Sequence, residues 1–352
     1  MTTPLLETLF TLSNIHGASG DEIRVRQALR PMLEGHVESL RVDALGNLIA
    51  LKRGTGALPL RVLVAAHMDE VSLMVVGHTS EGCLRVENCG GIDTRLLPGL
   101  EVRVGPNLLP GVIGQKAVHR LSNGAMKAPD LDRIAVDIGA SNKDEAIRLA
   151  PVGTRITFAT QARELGQLVA GKAFDDRAGC TLLVHLLQGP PLPYDLYGVF
   201  TVQEEVGLRG ARVAGFSIEP DMAMALEGTI ADDLPKPPGT DISPTSEISK
   251  GAVITVMDRS HVSAPRLVRH LTQVAEARGI PYQFKQPGIG GTDAGALHIA
   301  RGGVPSAAVA VPCRYIHGPI ALLHPNDLTH THTLVRAALE QLTPDILDPN
   351  AD

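Results

Sequence analysis

The chain has 352 residues, a length that suits about two domains rather than one small core. With 44% hydrophobic residues, 3% aromatics and no Trp, its core must be aliphatic, and it lacks the aromatic faces that sugar clefts and base-stacking platforms rely on. A formal net charge of −6 without any Lys/Arg run argues against nucleic acid as a partner, because phosphate neutralisation needs a basic face.

From the N-terminus, MTTPLLETLFTLSNIHG contains Glu7 and no basic n-region, so it reads as an amphipathic helix over residues 4–15 rather than a signal peptide. Ser19-Gly20-Asp21-Glu22 predicts the cap of a second helix running through Leu33. Two short apolar runs, 37–42 and 47–51, predict strands joined by a turn, and RVLVAA at 61–66 predicts a strand buried on both faces. Between about 71 and 166, short β-like pieces such as SLMVVGH, EVRVG and TRITFAT alternate with Gly and Pro turns, which predicts a small β-rich barrel or sandwich. Helix and strand then alternate: helices over 176–187, 265–278 and 330–342, strands over 197–203, 222–226 and 306–311. Residues 234–247 are Pro-rich and read as a loop, and the chain from Pro344 reads as a frayed tail. The simplest account is one α/β domain, residues 1–70 plus 167–345, interrupted by a β domain at 71–166 and followed by a tail at 346–352.

No segment approaches the roughly 18 consecutive apolar residues of a membrane span. Cys83, Cys89, Cys180 and Cys313 have no CxxC spacing and read as reduced small hydrophobes, so a cytoplasmic protein with no membrane partner is expected.

The acids and histidines fall where chemistry is easiest to build. RVLVAA runs into His67 and Asp69, GVFTVQ into Glu204 and Glu205, MAMAL into Glu227, and AAVAVPCRYI into His317, while Asp175 and Asp176 lie just before a helix. Ligands of α/β sheets bind beyond the carboxyl ends of the strands, so these sites can converge on one cleft. Each also has an ordinary explanation. A lone His after a strand is usually a loop residue, adjacent acids are usually surface groups, and Asp175-Asp176 would serve well as a helix cap. Three considerations favour the joint reading. Period-2 geometry puts residues 67 and 69 on one side of an extended segment, where Asp69 can accept the second imidazole N–H. Adjacent Glu204 and Glu205 after an apolar strand are costly without a cation. Two histidines with three carboxylates suit Zn²⁺, Co²⁺ or Mn²⁺ in a pair sharing a bridging carboxylate and hydroxide, leaving Glu204 as general base.

HMDE at 67–70, FDDRAG at 174–179, QEEVGLRG at 203–210, ALEGTIADDLP at 225–235, GGTDAGA at 290–296 and RYIHGP at 314–319 follow one another across nearly the whole chain. Together they resemble the M42 family of co-catalytic metallopeptidases, which includes tetrahedral, glutamyl and deblocking aminopeptidases. The resemblance implies an α/β/α sandwich peptidase domain with an inserted PDZ-like β-barrel domain used in oligomerisation, and an aminopeptidase that releases N-terminal residues from short peptides. It implies two divalent ions held by His67, Asp175, Glu205, Glu227 and His317, with Asp175 bridging, Glu204 as base and Asp69 as an orienting acid. Asp175 is chosen over Asp176 because the family pattern tolerates Asn at the second position, and Glu227 stands where many relatives carry Asp. It further implies a hollow tetrahedral dodecamer. A deacylase or carboxypeptidase on the same centre, or a non-catalytic peptide-binding shell, are the competing readings. Asp293 is expected either to cap a helix or to line the cleft, and His119 to be structural.

Overall fold

A computed structural model describes residues 3–114, 131, 134–235 and 243–350 of the chain. His119 and the Pro-rich residues 236–242 lie outside the described residues. The chain opens with α1 (Pro4–Ser13), whose start is fixed by Thr3 as N-cap and Pro4 in the first turn, and α2 (Ile23–Leu33). Three strands follow, β1 (Ser39–Val42), β2 (Leu48–Lys52) and β3 (Arg61–His67). Then come β4 (Ser72–His78), β5 (Leu84–Cys89), β6 (Glu101–Val104), β7 (Leu109–Ile113), β8 (Ala135–Asp137), α3 (Lys143–Leu149) and β9 (Arg155–Phe158). The second half comprises β10 (Arg163–Leu165), β11 (Leu168–Gly171), α4 (Phe174–Gln188), β12 (Asp195–Thr201), α5 (Arg209–Ile218) and β13 (Met222–Ile230). It continues with β14 (Ala252–Thr255), α6 (Pro265–Arg278), β15 (Tyr282–Phe284), α7 (Ala294–Leu297), β16 (Ser306–Arg314), β17 (Ala321–Leu323), α8 (Pro325–Glu340) and α9 (Pro344–Leu347).

Eleven strands form one mixed sheet in the order β1-β2-β12-β3-β13-β16-β17-β11-β10, with β14 pairing β16 and β15. Its centre, β12-β3-β13-β16, is parallel. The alternation of β3 explains why both faces are covered. Val62, Val64 and Ala66 enter a core with α1, α2, α4, α6 and α8, whereas Leu63 and Ala65 enter a second core with α5 and the segment around α7. This is the α/β/α sandwich. The inserted strands close an antiparallel barrel, β4-β5-β8-β7-β6-β9, around its own core of residues such as Leu73, Val75, Val102, Val136 and Ile156.

Three expectations need adjusting. Strand β10, expected within the insertion, pairs with β11 across the Gly166 turn and so belongs to the large sheet. The helix expected over 330–342 is α8, and it begins at Pro325, five residues before the expected start, because proline at the first position suits a helix entry. The end of the chain carries α9, and Ile346 and Leu347 pack on the main core instead of fraying.

One buried ion cluster ties the sheet to the helices where the parallel strands end. Glu70, just past β3 and 2% exposed, accepts hydrogen bonds from Lys172 Nζ at 2.7 and 2.8 Å and from Gly17 N at 2.9 Å. Arg177 of α4 lies 3.5 Å away, and neither cation is exposed. Arg177 also donates to the Leu12 and Met68 carbonyls. Removing the carboxylate would leave two buried cations short of a counter-charge. Glu70→Ala is therefore expected to lower unfolding free energy by about 3–5 kcal/mol, read as an earlier urea midpoint; an unchanged midpoint would show that the cluster contributes nothing.

Candidate metal centre

The register of the parallel strands levels their carboxyl ends. His67 closes β3 opposite Thr201 of β12, and the chain leaves β12 directly into Glu204 and Glu205. Ala225 of β13 pairs with Ala65, so Glu227 comes two residues later on β13 just as His67 does on β3. Strand β16 runs through Arg314 towards His317, and Asp175 stands at the irregular start of α4. Ala173, Gln203 and His317 have left-handed φ values of 55°, 55° and 58°. Such a conformation costs a non-glycine residue about 1–2 kcal/mol, and here it falls on or beside three of the expected site residues.

Six of the sequence-derived residues, His67, Asp175, Glu204, Glu205, Glu227 and His317, come together around the Asp175 carboxylate. Asp175 Oδ1 is 3.2 Å from His67 Nε2 and Asp175 Oδ2 is 3.3 Å from His317 Nε2, so its two oxygens face different histidines. Glu227 Oε2 lies 3.6 Å and Glu204 Oε2 3.8 Å from His67 Nε2, while Glu205 Oε2 lies 3.5 Å from His317 Nε2. The outer ring nitrogens are engaged: His67 Nδ1 is 3.1 Å from the Asp69 carbonyl oxygen and 3.4 Å from its Oδ1, and His317 Nδ1 is 3.0 Å from the Gly91 carbonyl oxygen.

The donor atoms of His67, Asp175 and Glu205 lie close enough to share one ion, as do those of His67, Asp176 and Glu227. Asp176 is the less available of the two aspartates. Its oxygens already accept from the backbone N–H groups of His67 (3.1 Å) and Gly179 (2.8 Å). Glu205 Oε1, by contrast, is buried with no hydrogen-bond partner among the described residues. That orphaned oxygen, the mixed N/O donor set and the crowding of acids together fit a divalent cation.

Electrostatics say the same. Burial pushes the Glu204 and Glu227 carboxyls well above the usual range despite the opposing pull of His67; Glu205 and Asp293 add to the rise at Glu204, and Asp176 to that at Glu227. Burial likewise raises Glu205 from 4.5 to about 7. Burial would raise Asp175 too, but hydrogen bonds from His317 and His67 outweigh it and hold the carboxyl well below its ordinary value. His317 goes up to about 9: burial opposes this, and Asp175 and Glu205 overcome it.

Several contributors escaped the sequence reading. Asp69, expected only to orient His67, also accepts from the backbone N–H groups of Glu204 (3.0 Å) and Glu205 (3.2 Å) and from Ser19 Oγ (2.6 Å). The expected cap at Ser19–Glu22 is not made. Glu22 gives α2 no side-chain cap; its Oε1 accepts from Gly20 N and from Gln203 N, beside the two site glutamates. Buried Asn47 holds the same turn, accepting from Val202 N and donating to the Gly210 carbonyl. Asp293 does not cap α7 through its side chain; it accepts from Thr201 Oγ1 and donates its backbone N–H to Glu227 Oε1 at 3.0 Å. Only backbone geometry reveals such partners, so no spacing in the sequence announces them.

The whole assembly opens into a cavity of about 770 Å³ lined by His67, Asp175, Glu204, Glu205, Glu227 and His317. Comparison with known proteins gives a consistent answer. The M42 glutamyl aminopeptidase family model matches residues 46–334. The lysyl aminopeptidase of Pyrococcus furiosus is 34% identical over 337 residues, spanning 93% of this chain and 94% of its own. An aminopeptidase from the archaeon Desulfurococcus kamchatkensis superposes with a TM-score of 0.92 at 32% identity, covering 98% of this chain and 96% of that one. The TET1 peptidase of Pyrococcus horikoshii, which can assemble into a tetrahedron or a large octahedral shell, superposes with a TM-score of 0.85 at 33% identity over 96% of this chain and 100% of that one. With the family match running from the turn before β2 into α8, the chain belongs to the M42 family of aminopeptidases and is a hydrolase.

Proposed function

We propose that the protein is a metal-dependent aminopeptidase that releases N-terminal residues from short peptides. In this reading His67, Asp175, Glu205, Glu227 and His317 hold two divalent ions, Zn²⁺ or Co²⁺ most naturally and Mn²⁺ as a further fit to the donor set. The observation that carries it is the Asp175 carboxylate, whose two oxygens each face a different histidine, an arrangement suited to a bridge. Bound ions would polarise the scissile carbonyl and lower the pKa of the attacking water. The protein's own groups do the rest. Asp69 holds the ring of His67 and the backbone of Glu204 and Glu205 in fixed relation. Glu204 takes the proton from water at its carboxylate and returns it to the departing amine. Its ligand-free role is supported by its being the most distant of the four carboxylates Asp175, Glu204, Glu205 and Glu227 from its nearest site imidazole nitrogen, 3.8 Å from His67 Nε2.

The barrel region, from β4 to β9, is proposed as an assembly surface and the protein as a cytoplasmic dodecamer. Val76, Val112, Ile147, Leu149 and Val152 are large apolar side chains left exposed on it, Val152 by 65%. No helix among the described residues is long and apolar enough to cross a membrane.

Glu204→Gln is expected to retain bound metal, measured by elemental analysis, while kcat on aminoacyl anilides falls about 10²–10⁴-fold. Full turnover in that variant would remove Glu204 from the mechanism. Chelation should abolish activity and Zn²⁺, Co²⁺ or Mn²⁺ restore it.

The pH dependence has a definite sign. Glu205 is raised from 4.5 to about 7 and Asp293 from 3.8 to about 6, both chiefly by burial. Raised carboxyls favour the folded state below their ordinary pKa, and that contribution is lost as pH climbs through the folded value. The metal-free protein thus loses this contribution between about pH 4 and 7, and bound cations would replace the protons. The metal-induced rise in Tm is the quantity to measure, since distant His16 and His332, both lowered to about 4 chiefly by burial, titrate with or without metal. It should be larger at pH 7.5 than at pH 5; the reverse order would contradict the charge assignment.

The exposed apolar face makes a separate prediction. Val152→Asp combined with Leu149→Asp should shift the protein from a large assembly to smaller species in light scattering while the folded far-UV signal persists.

A further inference from the structure

Two side chains that line the cavity carry a buried polar atom with no hydrogen-bond partner among the described residues, Glu205 Oε1 and Thr229 Oγ1. The first belongs to a residue already proposed to hold metal, but the second has no role in the centre so far. Thr229 is 3% exposed and lies on β13, two residues beyond Glu227. Other buried threonines satisfy their hydroxyls within the fold: Thr181 donates to the Arg177 carbonyl, Thr331 to the Asp327 carbonyl and Thr201 to Asp293. A hydroxyl shut away from water costs stability until something bonds to it.

The strand explains why the fold offers this hydroxyl nothing. Along β13, Met224 and Leu226 enter the main core, while Ala223 and Ala225 face the α5 and α7 side. Glu227 continues the second set, its Oε1 accepting from the Asp293 N–H just before α7. Thr229 follows on the same face, about 6–7 Å further along. On one flank it pairs with Pro312 of β16, which has no polar side chain to offer. On the other, β3 pairs with β13 only as far as Ala225, so that strand has ended before Thr229 is reached. Thr229 instead becomes part of the cavity wall.

We propose that Thr229 positions the substrate, its hydroxyl accepting a hydrogen bond from the free α-amino group of the peptide's N-terminal residue. The inference rests on the aminopeptidase reading and names a residue that holds the N-terminus. An α-amino group needs an acceptor committed neither to metal nor to proton transfer. Asp175, Glu205 and Glu227 are assigned to the first task and Glu204 to the second. Asp232, further along the same wall, already accepts the Thr245 N–H on Oδ1. Thr229 Oγ1 is the buried acceptor that remains unused. The spacing suits the contact as well. The α-nitrogen is two covalent bonds from the scissile carbonyl carbon, so a carbonyl held beside Glu227 leaves it within reach of the next residue on that face.

The test uses the full-length, metal-loaded protein and the aminoacyl anilide it cleaves best. Two competitive inhibitors that differ only in the amino group are compared, the matching amino-acid amide and its desamino analogue (leucinamide and isocaproamide for a leucyl substrate). Thr229→Val keeps the shape of the side chain and removes the hydroxyl. It should weaken the amino amide about tenfold or more, the size of one hydrogen bond to a charged group, and leave the desamino amide unchanged. KM for the anilide should rise by a similar factor with kcat largely kept, and Thr229→Ser should restore both affinities. Tm of Thr229→Val should stay level or rise, because no protein group loses a bond; a marked fall would make the hydroxyl structural and overturn the assignment. Equal loss for the two amides, or loss for neither, would overturn the proposal and leave the aminopeptidase reading standing. So would a defect of Thr229→Val seen with a dipeptide and absent with the anilide, because the group bound would then be the carbonyl beyond the scissile bond. Release of no N-terminal residue from any anilide or dipeptide would overturn that reading and the proposal with it.

Discussion

Excess negative charge in a small volume is the constraint to which the rest of the molecule answers. Asp175, Glu204, Glu205 and Glu227 surround two imidazoles, with Asp69, Asp176 and Asp293 buried just behind them. Like charges at such separations cannot all ionise in a dry interior unless a cation joins them. The rise of Glu205 to about 7, and the larger rises of Glu204 and Glu227, are what the crowding does when only histidines oppose it. Asp175 escapes this because both imidazoles point at it. The same field therefore lowers one carboxyl, Asp175, and raises three, Glu204, Glu205 and Glu227.

Holding such a cluster together demands a scaffold that supplies force from behind. Parallel strands do part of this by ending level, but strand ends leave loops, and loops need ties. Glu70 with Lys172 and Arg177 clamps the exit of β3 to the approach of α4, which fixes His67 relative to Asp175. Asp69 and Asn47 clamp the exit of β12, which fixes Glu204 and Glu205. The two clamps are adjacent in sequence at 69 and 70 and work on opposite neighbours. Asp69 reaches towards β12 while Glu70 reaches towards α4, so two consecutive acids register three elements against one another.

Much of this was legible in the sequence for a physical reason. A strand buried on both faces must be apolar throughout, so the polar residue that ends it stands out, and four such strands pointed to His67, Glu204, Glu205, Glu227 and His317. The β texture of the barrel and the helices α1, α2, α4, α6 and α8 were legible from period and turn residues in the same way, whereas α5 and α7 on the other face were not. What was not legible depends on contacts made through the backbone. Ser19 and Glu22 have the spacing of a helix cap, yet their side chains go to Asp69 and to the Gln203 N–H, because a nearby buried acid and an orphaned amide compete for them. Asp293 resembled a cap for similar reasons and instead faces Thr201.

The barrel has a closer relation to the site than an inserted surface module needs. His317 Nδ1 meets the carbonyl of Gly91, in the loop that leaves β5, so a proton on Nδ1 leaves Nε2 free to face Asp175 and Glu205. Its neighbour Gly90 has φ 96°, and a Cβ there would lie 3.2 Å from the Glu205 Cβ and 3.3 Å from its Oε2. The loop can approach that closely only as glycine. One residue thus supplies the carbonyl that sets a histidine's tautomer, and the next makes room for the glutamate facing that histidine. Any shift of the barrel against the sheet would move the carbonyl off His317 and press the loop on Glu205 together. Forces applied to the barrel, including those from packing against another copy, act directly on two of the five residues expected to hold metal.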